Sequence, residues 1–295
     1  MRLFSPAFFT IHSRERGIEM KLIAIDLDGT LLNGHGKVTN YTRTVVNHLA
    51  KEGHKIVLVT GRHQVMTREI ASLFPLSKFM VCFNGAAIIE RATNQVVVEN
   101  TYRTCDIDHV IETIKEWELS YLVETKEGFL IEGAYLGLIQ QFNTLNLPFS
   151  IISELKDIEQ TIIKLSIRGV EEELDRLTPL IAQLVPELYV VRSGEESVDI
   201  MNKSVSKGRA VRWIGDYYQI DSSDTITFGN YDNDCSMLKY AGIGVAMGNA
   251  PTRVKKVADV VAKSNEEDGV ATFLEECKWG RESASLQQLI KPNTN

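Results

Sequence analysis

Residues 22–30 decide the fold, and they read Leu-Ile-Ala-Ile-Asp-Leu-Asp-Gly-Thr. The four apolar residues at the start are typical of a short parallel strand that is buried on both faces of a sheet. Two carboxylates, Asp26 and Asp28, follow directly with one residue between them. Because ligands bind at the carboxyl ends of strands in open α/β sheets, we expect both side chains to lie at a binding site.

The sequence on both sides of this segment predicts further strands of the same sheet. Apolar runs at 55–59 and 79–83 alternate with helix-like segments, and the first helix has a suitable N-cap in Thr39 or Asn40. The same alternation returns after Ser206, with strand-like runs at three places: 225–228, 242–247 and 260–262. This alternation predicts an α/β fold with a doubly wound, Rossmann-like parallel sheet as its core.

The middle of the chain has a different pattern, in which short strand-like stretches are joined by turns such as Glu127-Gly128. We interpret residues 86–204 as an α+β cap domain that is inserted into the core. The core domain then consists of two segments, 20–85 and 205–277. The ends of the chain are interpreted as a leader, which is disordered or precedes the native start, and as a polar tail: 1–19 and 278–295.

Composition excludes several classes of partner. The net charge is −7, and no block rich in lysine or arginine offers a surface for nucleic acid. No apolar run approaches the roughly 18 residues that are needed to span a bilayer. The four cysteines are far apart and form no CxxC pair, which favours the reducing cytoplasm over a disulfide framework. We therefore expect a cytoplasmic monomer or small homo-oligomer with neither nucleic acid nor a membrane as its partner.

The close spacing of Asp26 and Asp28 predicts a bound cation. Two carboxylates at one strand end would repel each other unless a positive charge lay between them. Mg²⁺ takes oxygen ligands and can bridge them to a phosphate group. The alternative is a plain turn in which Asp, Gly and Thr cap a loop.

Polar residues also stand at three further points of the α/β pattern. Thr60 and Gly61 offer a hydroxyl and a backbone amide that can approach an oxyanion closely. Lys207 offers an ammonium group at the start of a helix, and residues 229–234 add more oxygen-bearing side chains in the order Gly-Asn-Tyr-Asp-Asn-Asp. Each group alone has an ordinary explanation, such as a helix start, a solvated lysine or an Asx-rich turn. Together they predict one shared site at the edge of the sheet.

The order of these groups resembles the four motifs of the haloacid dehalogenase superfamily: Asp26–Thr30, Thr60-Gly61, Lys207 and Gly229–Asp234. Two later segments are similar to the C-terminal signature of the Cof-type phosphatases in that superfamily: 248–250 and 264–271. The resemblance covers nearly all of residues 20–277. It implies a Rossmann-like core with a large α+β cap between the second and third motifs, where the insertion falls here.

The resemblance also implies a Mg²⁺-dependent phosphatase and a role for each matching residue. Asp26 would attack phosphorus and form an aspartyl-phosphate, and Asp28 would serve as general acid and then as general base. Five residues would hold the phosphate group: Leu27 through its amide, Thr60, Gly61, Lys207 and Asn233. Four would hold the metal: Asp26, Asp28, Asn230 and Asp234. The substrate would be a small phosphorylated metabolite, namely a sugar phosphate, a nucleotide or a phosphorylated cofactor.

Asn230 departs from the family pattern, which usually has aspartate at this position. The carbonyl oxygen of an asparagine can bind Mg²⁺ but brings no charge, and Asp234 is the expected source of a compensating charge. Three interpretations stay open: an active enzyme, an enzyme with weak metal binding, or a phosphate-binding relative without turnover. A phosphomutase is a further alternative, because it shares the nucleophile and the acid. A transport ATPase is excluded, since it would have threonine in place of Asp28 and a membrane domain.

Overall fold

The computed structural model describes residues 20–133, 136–155 and 161–277, so the predicted leader and tail lie outside the described residues. In chain order, the strands are β1 (Leu22–Ile25), β2 (Lys55–Val59), β3 (Phe79–Cys82), β4 (Ala87–Glu90), β5 (Gln95–Glu99), β6 (Tyr102–Arg103), β7 (Ser120–Glu124), β8 (Phe129–Glu132), β9 (Phe149–Ile152), β10 (Thr161–Ile162), β11 (Lys164–Arg168), β12 (Leu188–Gly194), β13 (Ser197–Asn202), β14 (Thr225–Gly229), β15 (Ile243–Ala246) and β16 (Val260–Val261). The helices are α1 (Asn40–Lys51), α2 (Gln64–Ser72), α3 (Asp108–Glu116), α4 (Leu136–Thr144), α5 (Glu171–Leu184), α6 (Lys207–Tyr218), α7 (Cys235–Tyr240), α8 (Thr252–Lys255) and α9 (Gly269–Glu276). Within the described ranges, no helix combines the length and the apolar surface that crossing a membrane requires.

The larger sheet forms the core and confirms the predicted α/β class. Its strand order is β16-β15-β14-β1-β2-β3-β4-β5, and the strands from β16 to β3 are parallel. β1 lies between β14 and β2. The segments that follow these three strands therefore meet at one edge of the sheet, where α/β proteins bind their ligands.

β1 is buried on both faces because its side chains alternate between two layers of helices. Ile23 and Ile25 belong to an apolar cluster that includes α1 and α9, whereas Leu22 and Ala24 belong to one that includes α6. The hydroxyl of Thr39 caps α1 by accepting a hydrogen bond from a backbone amide of its first turn. Packing on both faces fixes the position of the strand end that carries the two carboxylates.

A six-stranded sheet belongs to the inserted α+β unit, which also contains the two-stranded sheet of β6 and β10. Its order is β12-β13-β11-β7-β8-β9, and every pairing is antiparallel except that of β8 with β9. α3 and α5 share an apolar cluster with this sheet, to which Ile114, Leu177 and Ile200 contribute. β12 and β13 also reach the core, because Val191 and Met201 lie in the main apolar cluster of the larger sheet.

β4 and β5 belong to the core sheet, which differs from the predicted division of the chain. The sequence analysis assigned residues 86–204 to the cap, but β4 pairs antiparallel with β3, and β5 pairs with β4. The cause is a tight turn at residues 83–85, where all three φ angles are positive and the chain turns back beside β3. The chain leaves this sheet near Asn100, so we propose residues 101–204 as the cap.

Candidate active site

The segment after β1 folds into a tight turn that presents its two carboxylates differently. Asp26 is 4% exposed, whereas the side chain of Asp28 is 60% exposed. The carbonyl oxygen of Leu27 accepts hydrogen bonds from three following amides and so closes the turn. Gly29 has a φ angle of 71°, and a Cβ there would lie 2.4 Å from Nδ2 of Asn230. Glycine is therefore needed for the turn and for the close approach of the Asn230 side chain.

Lys207 lies at the centre of the site and is fully buried. Ser206 caps α6, and Lys207 is the first residue of that helix. Its Nζ lies 2.7 Å from Oδ1 of Asp26 and 2.6 Å from Oδ1 of Asp234. The two carboxylates raise the pKa of Lys207, so the ammonium stays charged. Burial, together with the charge of Asp234, raises the pKa of Asp26 to about 7 even though Lys207 opposes that shift.

Asp234 holds its own loop in addition to Lys207. Its Oδ2 accepts hydrogen bonds from the backbone amides of Asn230 (2.8 Å) and Tyr231 (3.0 Å). Gly229 permits this arrangement, because a Cβ there would lie 2.4 Å from the Cβ of Asp234. Both carboxylate oxygens are thus engaged by protein donors. We propose that Asp234 positions Lys207 and the loop that carries Asn230, and its role as a metal ligand stays a prediction.

Arg62 is a residue of the site that the sequence analysis missed. Its guanidinium donates two hydrogen bonds to the carboxylate of Asp28, from Nε (2.7 Å) and from Nη2 (2.5 Å). Thr60, which is fully buried, accepts a hydrogen bond from the amide of Arg62 through Oγ1 (3.1 Å). The signal for Arg62 was its place directly after Thr60-Gly61, since a charged residue in that short loop must lie near the same strand end.

Asn84 is the second missed residue, and it connects two predicted ones. Its Oδ1 accepts a hydrogen bond from Nδ2 of Asn233 (2.9 Å). A Cβ on Gly61 would lie 2.9 Å from the same Oδ1, so glycine at position 61 leaves room for Asn84. In a sequence, an Asn-Gly pair such as Asn84-Gly85 indicates only a turn. The side chain of Asn84 nevertheless lies between the loops that carry Gly61 and Asn233.

The available oxygen atoms fit Mg²⁺ better than a transition metal. Among the described residues, no group of three or more His, Cys, Asp or Glu side chains forms a metal site. The candidate donors are instead the carboxylate of Asp26, the backbone of Asp28 and Oδ1 of Asn230, which accepts a hydrogen bond from the hydroxyl of Thr30 (3.2 Å). A small set of oxygen donors suits Mg²⁺, because this ion keeps several water ligands. When Asp26 and Asp234 are both ionised they carry two negative charges, and Lys207 neutralises only one of them. The remaining negative charge favours the binding of a further cation.

A cavity of about 1060 Å³ between the core and the cap opens onto these residues. The core contributes the predicted site residues Asp26, Asp28, Gly61, Asn230 and Asn233 to its lining. One wall is apolar and consists of Met66, Leu122, Phe129, Leu138, Phe142 and Leu147. Another is polar and includes Arg168, Glu171, Ser193, Glu195 and Ser197. The cavity has room for a molecule much larger than a phosphate ion.

The fold and the site define the class of this protein. The family model of the haloacid dehalogenase-like hydrolases matches residues 23–274, which include every residue of the site and all of the described strands except the first residue of β1. The chain therefore belongs to that family, and the sequence-based prediction of a phosphatase-type hydrolase is confirmed at this level.

Individual relatives cover nearly the same length. The 5-amino-6-(5-phospho-D-ribitylamino)uracil phosphatase YitU of Bacillus subtilis is 30% identical over 86% of this chain and 96% of its own. YcsE of Bacillus subtilis, which carries the same enzyme name, is 28% identical over 86% of this chain and 94% of its own. Among solved structures, SMU.1108c from Streptococcus mutans has a TM-score of 0.77 at 27% identity, covering 87% of this chain and 98% of that one. A haloacid dehalogenase-like hydrolase from Bacteroides thetaiotaomicron has a TM-score of 0.73 at 26% identity, covering 87% and 99%.

Proposed function

We propose that the chain is a Mg²⁺-dependent phosphomonoester hydrolase that forms an aspartyl-phosphate at Asp26. One observation carries this proposal. Asp26 is a buried carboxylate at the end of the central strand, and the ammonium of Lys207 lies 2.7 Å from it. A carboxylate nucleophile divides hydrolysis into two easier displacements, because the phosphoryl group passes first to the enzyme and then to water.

The first displacement needs positive charge around the phosphoryl oxygens. Lys207 supplies a fixed cation beside the nucleophile, and we assign donors to the phosphate among Leu27, Thr60, Gly61 and Asn233. Groups that are already oriented before the reaction stabilise developing charge without having to reorganise. When bound at Asp26, the backbone of Asp28 and Asn230, Mg²⁺ would neutralise further charge on those oxygens.

Asp28 is the proposed proton carrier. It would give its proton to the leaving oxygen in the first step and take a proton from the attacking water in the second. Its side chain lies in the cavity lining, where both the leaving group and water can reach it. The two hydrogen bonds from Arg62 fix the direction of the carboxylate and must loosen when Asp28 binds its proton.

The two walls of the cavity favour a substrate that joins a planar ring to a polar chain. The apolar wall contains Phe129 and Phe142, whose rings meet edge to face at 4.8 Å, and the polar wall lines the same cavity. YitU and YcsE are named for a substrate that joins a uracil ring to a phosphorylated ribityl chain. We therefore propose phosphorylated cofactors and their precursors ahead of simple sugar phosphates.

A panel of phosphorylated metabolites, assayed for released phosphate with and without Mg²⁺, tests the proposal. We expect Mg²⁺-dependent release that is fastest with ring-bearing esters, and none from the Asp26→Asn variant. A requirement for added sugar bisphosphate would favour the phosphomutase instead. Tight binding of a phosphorylated metabolite without turnover, retained in Asn230→Asp, would favour a regulatory protein.

A further inference from the structure

We propose that Asp199 in the cap is a positioning residue for the phosphate site, which it influences through Asn84 and Asn233. This inference rests on the proposed function, in which Asn233 binds the phosphate group. The three side chains form a hydrogen-bonded chain. Nδ2 of Asn84 donates to Oδ2 of Asp199 (2.7 Å), and Nδ2 of Asn233 donates to Oδ1 of Asn84 (2.9 Å). All three residues are buried.

The chain of hydrogen bonds can run in only one direction. The carboxylate of Asp199 is surrounded by donors, because Ser166 Oγ donates to Oδ1 (2.7 Å) and Lys164 Nζ lies 3.7 Å from Oδ2. A carboxylate in these surroundings only accepts hydrogen bonds, so the amide of Asn84 must turn its NH₂ group toward it. The carbonyl oxygen of Asn84 then faces Asn233 and requires an NH₂ group there as well.

Within the described residues, no other hydrogen bond holds the amide of Asn233. Its Oδ1 is buried and has no hydrogen-bond partner among them. The orientation of the amide is therefore set by Asn84 alone. In this orientation the second N–H of Asn233 Nδ2 can donate to a phosphate oxygen. A reversed amide would instead place the carbonyl oxygen of Asn233 against that of Asn84, and the two oxygens would repel each other.

The backbone around Asn84 supports a functional role for this side chain. Phe83, Asn84 and Gly85 have φ angles of 51°, 56° and 101°, a region that is disfavoured for a residue as large as phenylalanine. Disfavoured backbone angles that persist in folded proteins are concentrated at functional sites. Gly61 leaves the space that Asn84 Oδ1 occupies, so two loops of the core are adapted to this contact.

The cap thus lines the cavity and also contacts the phosphate site of the core through the hydrogen bond between Asp199 and Asn84. Asp199 lies on β13, and Met201, two positions further along the same strand, is packed in the core cluster. Lys164 of the cap donates to the carbonyl oxygen of Gly61 (2.6 Å), which holds the same face of the cap against the core. Because these contacts hold the sheet of the cap against the core, a residue of the cap can orient a core residue that binds phosphate.

The test compares Asp199→Leu with Glu124→Met. Each variant removes one buried carboxylate near Lys164, whose Nζ lies 2.8 Å from Glu124 Oε1 and 3.7 Å from Asp199 Oδ2. Only Asp199→Leu also removes the acceptor that fixes Asn84, because leucine has no oxygen that could replace the carboxylate. We expect the inhibition constant of inorganic phosphate to rise by about tenfold or more in Asp199→Leu, because Asn233 is then no longer held in position, and to rise less in Glu124→Met.

A second readout needs no substrate. In ¹⁵N spectra, the side-chain amide signals of Asn84 and Asn233 should shift or broaden in Asp199→Leu and keep their positions in Glu124→Met. Unchanged amide signals and an unchanged inhibition constant of phosphate in folded Asp199→Leu would overturn the inference, and so would an equal rise of that constant in Glu124→Met. Failure of the proposed function is a separate result, because the wild-type protein would then release no phosphate from any ester tested.

Discussion

The ammonium of Lys207 lies 2.7 Å from a carboxylate oxygen of Asp26, although 181 positions of sequence separate the two residues. The same ammonium lies 2.6 Å from Asp234, so two buried carboxylates share one cation. This arrangement leaves Asp26 short of positive charge in the folded protein. A phosphate ester with its metal ion would then bind where the protein alone does not balance the charge of its carboxylates.

Replacing Lys207 with methionine is expected to lower the free energy of unfolding by about 3–5 kcal/mol, because it leaves Asp26 and Asp234 buried without their cation. Phosphate release should fall below detection as well. Urea denaturation at neutral pH measures the first effect. Lys239→Met serves as the control, because Lys239 is exposed. Equal stability of the two variants would contradict the role assigned to Lys207.

Asp26 should make the metal-free protein less stable as the pH rises. Its pKa is raised from 3.8 to about 7 in the folded state, so the folded protein retains a proton that the unfolded chain has lost across this range. Stability is then lost with rising pH by up to about 1.4 kcal/mol per unit. In Asp26→Asn, measured with a chelator present, this part of the pH dependence should disappear. A difference between variant and wild type that does not grow from pH 4 to pH 7 would contradict the shift.

Asn230→Asp is expected to strengthen Mg²⁺ binding by roughly tenfold, because it adds a charged oxygen ligand at a site whose side chain already faces Gly29. The rise of the melting temperature with Mg²⁺ concentration measures this without an activity assay. Asn230→Ala, which removes the oxygen, should shift the dependence the opposite way. Three superimposable Mg²⁺ titrations would show that residue 230 does not bind the metal.

His63 is expected to make the fold sensitive to acid. It caps α2 by accepting from the amide of Val65, and its other nitrogen hydrogen-bonds to Thr125 O (2.9 Å). Burial lowers its pKa from 6.5 to about 4, so the unfolded chain binds the extra proton and stability falls as the pH drops from 6.5 toward 4. His63→Asn should remove up to about 1.4 kcal/mol per pH unit of this loss.

The matched control for that prediction is His35→Asn, because His35 is exposed. It should leave the acid sensitivity of the protein unchanged. Chemical denaturation between pH 4 and pH 7 measures all three proteins. A His63→Asn variant with the same pH dependence as wild type would show that folding does not lower the pKa of His63.

The sequence predicted the core of the site because neighbouring parallel strands end at one edge of a sheet. Asp26 follows β1, Thr60 follows β2 and Asn230 follows β14, so their proximity could be inferred from strand positions alone. The same reasoning could not assign β4 and β5, because their pairing depends on a turn with positive φ angles that local sequence patterns do not specify.

The directions of individual side chains could not be predicted from the sequence. A carboxylate such as Asp234 can bind a metal ion, and the sequence does not show that its oxygens accept from Lys207 and two backbone amides. Asparagine is common in turns, and the sequence does not show that Asn84 joins Asp199 to Asn233 through hydrogen bonds. Hydrogen bonds between residues so distant in the chain depend on the packing of core and cap, which a single sequence does not reveal.

Trapping the covalent intermediate tests the central claim most directly. The wild-type protein would be mixed with a good substrate and Mg²⁺, quenched during turnover and reduced with borohydride, which converts an aspartyl-phosphate into homoserine. We predict homoserine at position 26 alone, and none when the substrate is omitted. Rapid phosphate release with an unmodified Asp26, or with the modification at another carboxylate, would contradict the account.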